Sequence, residues 1–279
     1  MTFSIVACDL EEQAWGVAVA SKFPAVGAVV PWAQADAGAV ATQAFANTSF
    51  GPQGLALMSK GLSADETLAK LLQEDSDREL RQIGLVDMQG RSATFTGEGC
   101  FPWAGGISRK CYAIQGNILK SAKVVPAIEK AFLKTKGSLP SRLHAALLAG
   151  DRAGGDKRGR QSAAIYVVKA KSGYGGNNDR WIDYRVDDHD DPVLQLSELL
   201  EMQELYFGKS PEKEHVELKG EALQQVTDIL TQQGYLKKGK NFRNAFNEFI
   251  GNENFEERSD PEAEWIDKPV LKYLVKKFL

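Results

Sequence analysis

The sequence predicts an α+β fold in which two antiparallel sheets are covered by helices. Three observations carry this expectation. Short apolar, β-favouring segments come in consecutive groups separated by tight polar turns, so neighbouring strands pair as hairpins. Segments with apolar residues every three or four positions come in pairs between those groups. Clustered strands that do not alternate one for one with helices argue against a parallel βαβ array.

The elements follow in order. Residues 2–9 (TFSIVACD) form a first strand, 10–13 a polar turn and 15–20 a second strand. Residues 38–46 (GAVATQAFA) form a third, whose small side chains let backbone layers approach closely. Helical spacing follows over 52–60, with Leu55 and Met58. Ser63 and Glu66 make a capping box, and Leu68, Leu71 and Leu72 give the helix it starts one apolar face. Strands return at 81–88, 92–96 and 112–115, with Gln89-Gly90 as a turn. Helices are expected at 124–134 and 141–149. A glycine-rich loop then leads to strands at 163–168 and 182–186 and an amphipathic helix at 192–207. Trp32, Phe101 and Trp103 fit either pocket lining or core, with core the commoner place for such residues.

A length of 279 residues corresponds to roughly two domains. The composition shifts near Gly208, which sets one domain at 1–208. Residues 209–219 are polar without a hydrophobic period and read as a linker. Over 220–279, three apolar stripes (Leu223, Val226, Ile229 and Leu230; Phe242, Phe246, Phe249 and Ile250; Val270, Leu271, Leu274 and Phe278) predict a small three-helix domain.

Composition excludes several function classes. A net charge of −3 offers no broad basic field, so neither nucleic acid nor an anionic membrane is expected as a partner. No apolar run reaches about 18 residues, so no spanning helix is expected. The first residues lack a basic flank and an apolar core with a cleavage site, which points to a cytoplasmic chain. Cys8, Cys100 and Cys111 are too few for a disulfide framework and form no C-x-x-C pair. His144, His189 and His215 lack metal-ligand spacing. No metal or other cofactor is expected.

Four places carry candidate chemistry. Loss of Met1 would leave Thr2 at the chain start, joining a hydroxyl nucleophile and an α-amine base in one residue. Met-Thr starts are common, so this signal is weak alone. Ser4 shares the Thr2 strand face and is a second hydroxyl or an alternative nucleophile. Asn47, and Gln115 with Asn117, supply amide groups near strand ends, fit for an oxyanion hole or for ordinary turns. The loop GGDKRGRQSA at 154–163 places Asp156, Arg158 and Arg160 where they either clamp a charged substrate or face solvent in local ion pairs. In RVDDHDDP at 185–192, four carboxylates around His189 admit a metal reading. A helix start at Pro192 accounts for them more simply.

Several segments together resemble one family. They are TFSIVA at 2–7, GVAVASKFPAVG at 16–27, GAVATQ at 38–43, GPQGL at 51–55, RQIGLVD at 81–87, QGNIL at 115–119, GGDKRGRQSAA at 154–164 and RVDDHDDPV at 185–193. The stretch over 2–207 resembles the bacterial and archaeal domain of unknown function 1028. That resemblance implies an N-terminal-nucleophile (Ntn) hydrolase fold, a four-layer αββα sandwich. It also implies cleavage of an amide bond by Thr2 once Met1 is lost. The resemblance supplies no substrate; a small amide or peptide is the expectation set beside it. Residues 223–236 and 242–250 resemble three-helix peptidoglycan-binding domains, so the tail either binds cell-wall-derived peptides or amides or merely packs on the first domain. Two alternatives stay open: a Ser4 hydrolase, and a non-catalytic ligand-binding or assembly protein on the same fold. Association into a homo-oligomer through exposed helical layers is open as well.

Overall fold

The computed structural model describes residues 2–208, 210–262 and 264–279. The chain forms two compact units that divide between Glu198 and Leu199.

The first unit is α+β. Its strands are β1 (Thr2–Asp9), β2 (Ala14–Ser21), β3 (Pro31–Gln34), β4 (Gly38–Ala44), β5 (Arg81–Asp87), β6 (Ser92–Thr96), β7 (Gly105–Arg109), β8 (Tyr112–Asn117), β9 (Ser162–Lys169) and β10 (Arg180–Val186). Its helices are α1 (Phe50–Met58), α2 (Ala64–Gln73), α3 (Val124–Lys134), α4 (Leu139–Arg152) and the start of α5 (Pro192–Phe207). Six strands form one sheet in the order β10-β9-β2-β1-β8-β7, and four form another in the order β3-β4-β5-β6. All pairings within both are antiparallel.

Period-two alternation decides which side chains meet. In β1, Phe3 points to the helical side, where it approaches Gly150 and Gly155. Val6 and Cys8 point the other way and join Trp15, Val17 and Val19 of β2 against Ala39 and Ala41 of β4 and Val86 of β5. The far face of the smaller sheet, with Val40, Ile83 and Leu85, packs on Phe50, Leu55, Met58 and Leu71 of α1 and α2. The two sheets therefore pack face to face, α3 and α4 lie on the outer face of the larger, and α1 and α2 on that of the smaller.

The Ser63 capping box forms: Ser63 Oγ accepts from Glu66 N at 3.2 Å, and Ser63 N donates to Glu66 Oε2 at 2.8 Å. Two strands escape the periodicity argument. β3 and β7 are edge strands of four and five residues, one opening on Pro31 and the other on Gly105-Gly106. Proline and glycine weaken the strand signal and are tolerated because an edge leaves one side unpaired.

The second unit contains the end of α5, β11 (His215–Glu217), α6 (Gly220–Gln232), α7 (Phe242–Glu253), β12 (Ser259–Asp260), β13 (Trp265–Asp267) and α8 (Lys268–Phe278). The three apolar stripes meet in one core, with Val226, Ile229, Phe246, Phe249, Val270 and Leu274 buried. Residues 215–217, inside the stretch read from composition as a linker, pair with β13 in a small sheet ordered β11-β13-β12. Next to them Leu218 is buried in that core. Arg258 is also buried: its Nε lies 2.6 Å from Asp267 Oδ2, and its Nη1 donates to Glu204 O at 2.9 Å. Among the described residues, no helix is long and apolar enough to cross a membrane.

Candidate active site at the start of the first strand

The layer between the two sheets changes character along β1. Towards Asp9 it is apolar, through Val6 and Cys8; towards the chain start it is polar, through Ser4 and Thr2. Thr2 pairs with Asn117 of β8, and Ser4 with Gln115. On the other side, Thr2 Oγ1 lies 3.1 Å from Ser21 Oγ, at the end of β2. From the facing sheet, Gln43 Nε2 donates to Thr2 O at 3.3 Å. Thr2 is almost covered, at 6% exposure.

Around it lies a buried cluster of amides and hydroxyls. Ser4 Oγ donates to Gln43 Oε1 and accepts from Gln115 Nε2, both at 2.6 Å. Gln43 Nε2 donates to Gln82 Oε1 at 2.7 Å, and Asn117 Nδ2 donates to the same oxygen at 2.9 Å. Gln82 Nε2 in turn donates to Thr96 Oγ1 at 2.9 Å and to Gly116 O at 2.8 Å. Gln115 crosses to the smaller sheet over Gly84, where a Cβ would stand 2.1 Å from Gln115 Oε1. Only a glycine leaves room for that crossing.

None of Ser4, Gln43, Gln82, Thr96, Gln115 and Asn117 is ionisable. The cluster can orient hydrogen bonds and donate to developing charge, but it cannot itself take up a proton near neutral pH. Asn117 has two amide N–H donors and uses one on Gln82. Ser4 has its hydroxyl engaged as donor and acceptor and is fully buried.

The glycine-rich loop approaches from beyond β2. Asp156 Oδ2 accepts from Lys22 N at 2.7 Å, one residue past Ser21. Arg158 pairs with Asp156 at 3.2 Å. Arg160 binds Asp151 with two bonds, of 2.9 and 2.7 Å, which raises its guanidinium pKa further. Asp151, Asp156 and Arg160, with Asp190, line a cleft of about 550 Å³. A void of about 10 Å³, near the size of one water, lies between this loop, Phe3 and Ser21. The loop arginines thus form the local ion pairs that were one of the two readings of their spacing.

Asn47 stands apart from this cluster. Its Nδ2 donates to Asp75 at 3.2 Å, and its Oδ1 accepts from Ser49 N and Oγ. Arg81 also donates to Asp75, at 2.8 Å, and together these bonds hold the Asp75 carboxyl near a pKa of about 2. The acidic run at 185–192 disperses: Asp187 pairs with Arg185 at 3.1 Å, Asp188 accepts from Gln161, and Asp191 lies 3.7 Å from Arg160. Among the described residues, no group of three or more His, Cys, Asp or Glu side chains is placed to hold a metal. Trp32 packs half-buried on the α1 side, whereas Phe101 is exposed.

Four contributors escaped the sequence argument: Ser21, Gln43, Gln82 and Thr96. A signal for two of them existed. Gln43 continues the inward-facing series Ala39, Ala41, and Gln82 the series Val86, Gly84, so each is a polar side chain at a core position of a strand. The glutamines face each other across β4 and β5.

Comparison with known proteins gives three findings. The model of the family described as "Family of unknown function (DUF1028)" matches residues 2–196. The model described as "Putative peptidoglycan binding domain" matches residues 206–274. The crystal structure of protein SPO2555 from Silicibacter pomeroyi, of the DUF1028 family, is similar at a TM-score of 0.66 and 30% identity, covering 73% of this chain and 89% of that one. No curated protein matches.

Proposed function

The chain belongs to the DUF1028 family of unknown function, and from that premise we propose that it is an Ntn-type amidohydrolase cleaving a small amide or peptide through Thr2. The observation that carries this reading is the setting of Thr2. It begins a strand between two others, its hydroxyl meets Ser21, its carbonyl is held by Gln43, and its cross-strand partner is Asn117. The stacking of helices on the outer faces of two packed sheets supports the αββα label.

Met1, whose removal the mechanism requires, lies outside the described residues. With Met1 gone, Thr2 carries a free α-amine, a class of group whose unperturbed pKa of about 7.7–8.0 lets it act as a base near physiological pH. The amine takes the proton as Thr2 Oγ1 attacks the carbonyl carbon, and the second N–H of Asn117 donates to the oxyanion. The same amine then protonates the leaving nitrogen. Water, deprotonated by the amine, cleaves the ester left on Thr2. A self-supplied base suits a cluster without ionisable side chains. Ser21 positions Oγ1, and Ser4 acts as a spacer locking Gln43 to Gln115. Asp156, Arg158 and Arg160 receive a charged part of the substrate from the cleft, joining ion pairs already formed. The peptidoglycan-binding resemblance of 206–274 favours a cell-wall-derived peptide as that substrate.

The test joins intact mass with turnover. Active protein should lack Met1, Thr2→Ala should lose at least about a thousandfold in kcat/KM on its best amide, and Thr2→Ser should retain measurable turnover. Full activity with Met1 attached refutes the mechanism. A non-catalytic binding reading is favoured by one observation, the near-complete burial of Thr2. Ligand binding without turnover after verified loss of Met1 would establish it.

A further inference from the structure

We propose that the substrate presents an apolar, ring-sized group to a collar of exposed side chains, Phe23, Phe45, Leu80 and Phe101, around the Thr2 end of the first unit. The inference rests on the reading of Thr2 as an amide-cleaving nucleophile and adds a substrate class to it.

Single exposed apolar residues need no explanation, but a group of them around a polar site does. Phe45 and Phe101 are each 59% exposed, Phe23 47% and Leu80 37%. Each is tied to a group beside Thr2. Phe23 follows Ser21 by two residues, and Phe45 follows Gln43 by two. Phe101 O accepts from Ile118 N at 2.9 Å, directly after Asn117. Leu80 O accepts from Phe45 N at 3.3 Å, and the Leu80 side chain reaches to within 2.7 Å of a Cβ placed on Gly99, two residues before Phe101. Four separate segments thus bring apolar side chains to one end of the sheets. The opposite end of β1 closes differently, with Glu11 N and Glu12 N both donating to Asp9 Oδ1 at 3.0 Å.

Two features make the occupant a small amide and not a second protein. Four side chains fall far short of the 20–30 residues a side that a stable protein interface engages. The residues they flank in the chain or across a backbone bond, Ser21, Gln43 and Asn117, are polar, which suits a ligand that carries an amide beside its apolar group. Beyond Ser21 the surroundings become charged, at Lys22, Asp156 and Arg160. A matching ligand therefore has an apolar group on one side of its carbonyl and a polar or charged group on the other, as in an N-arylacyl amino acid or peptide.

The test measures binding in the full-length chain carrying Thr2→Ala, which cannot turn over, with phenylacetamide and acetamide as probes. Phenylacetamide should bind at least about tenfold more tightly. Phe45→Ala with Phe101→Ala should cut that preference below about threefold, with the circular dichroism spectrum unchanged. Leu133→Ala, an exposed change on α3, should leave it intact. Equal binding of the two amides, no binding of either, or a preference that survives the double substitution overturns the collar. So does a concentration-dependent dimer that the double substitution abolishes, because the collar is then a self-contact. Wild-type hydrolysis without an aryl preference also refutes the collar while sparing Thr2. Collar-dependent binding without hydrolysis refutes the nucleophile and leaves the collar standing.

Discussion

Replacing Gln82 by Met tests whether the buried amide cluster is a structural unit. Methionine keeps the length and approximate volume of glutamine but accepts hydrogen bonds only weakly and donates none. Gln82 Oε1 serves two donors, Gln43 Nε2 at 2.7 Å and Asn117 Nδ2 at 2.9 Å, and its own Nε2 serves Thr96 Oγ1 and Gly116 O. The residue is fully buried, so water does not replace it readily. Leaving a buried group unsatisfied costs about 1–3 kcal/mol. Two stranded donors therefore cost about 4 kcal/mol, or about 8–16 °C in Tm for a unit of this size. Calorimetry with denaturant titration reads this, with Gln53→Met on the exposed face of α1 as the control. Gln82→Glu adds a second arm. Burial raises the folded pKa of such a carboxyl, so its stability deficit grows as pH rises through that value, and below it the protonated acid again accepts and donates. Gln82→Glu should therefore be more stable relative to wild type at pH 5 than at pH 8. A Gln82→Met cost below about 1 kcal/mol, together with a pH-independent Gln82→Glu, refutes the reasoning.

Other predictions concern neighbouring features. Gly84→Ala forces a methyl to within 2.1 Å of Gln115 Oε1 and should cost about 1–3 kcal/mol by thermal melting, while Gln115→Ala in the same chain relieves part of it. Asp75 has a folded pKa of about 2, below its unfolded value of about 3.9, so its contribution is complete above pH 4 and is lost as pH falls towards 2; Asp75→Asn should flatten that part of the acid titration. Asp267→Ala leaves Arg258 buried without its carboxylate and should destabilise the second unit by about 3–5 kcal/mol, read by hydrogen exchange within α6 to α8.

Much of the fold is legible in the sequence. The strand at 2–9 and the helices at 124–134 and 192–207 have the bounds their periodicity predicts, because each depends on residues within a few positions of one another. The Ser63 box is legible for the same reason. The edges β3 and β7 are not, since a short strand carrying Pro or Gly becomes one only when a longer neighbour offers it a ladder.

The candidate site divides in the same way. Thr2 could be chosen for its place after Met1, Ser4 because alternation puts it on the Thr2 face, and Gln115 and Asn117 for their amides near a strand end; register then sets the two pairs side by side. Gln43 and Gln82 acquire their place only when the second sheet packs over the first. Ser4 and Gln115 are 111 positions apart, and nothing local says that one amide will reach across to the other over Gly84. Sequence alone determined the longer strands and helices and their order, the two-part chain and the family. The tertiary structure decided that Ser4 is spent holding two glutamines, that Asn47 serves Asp75, and that the loop arginines meet carboxylates of their own. Periodicity records which face a side chain takes, and only the packing of distant segments determines what stands opposite.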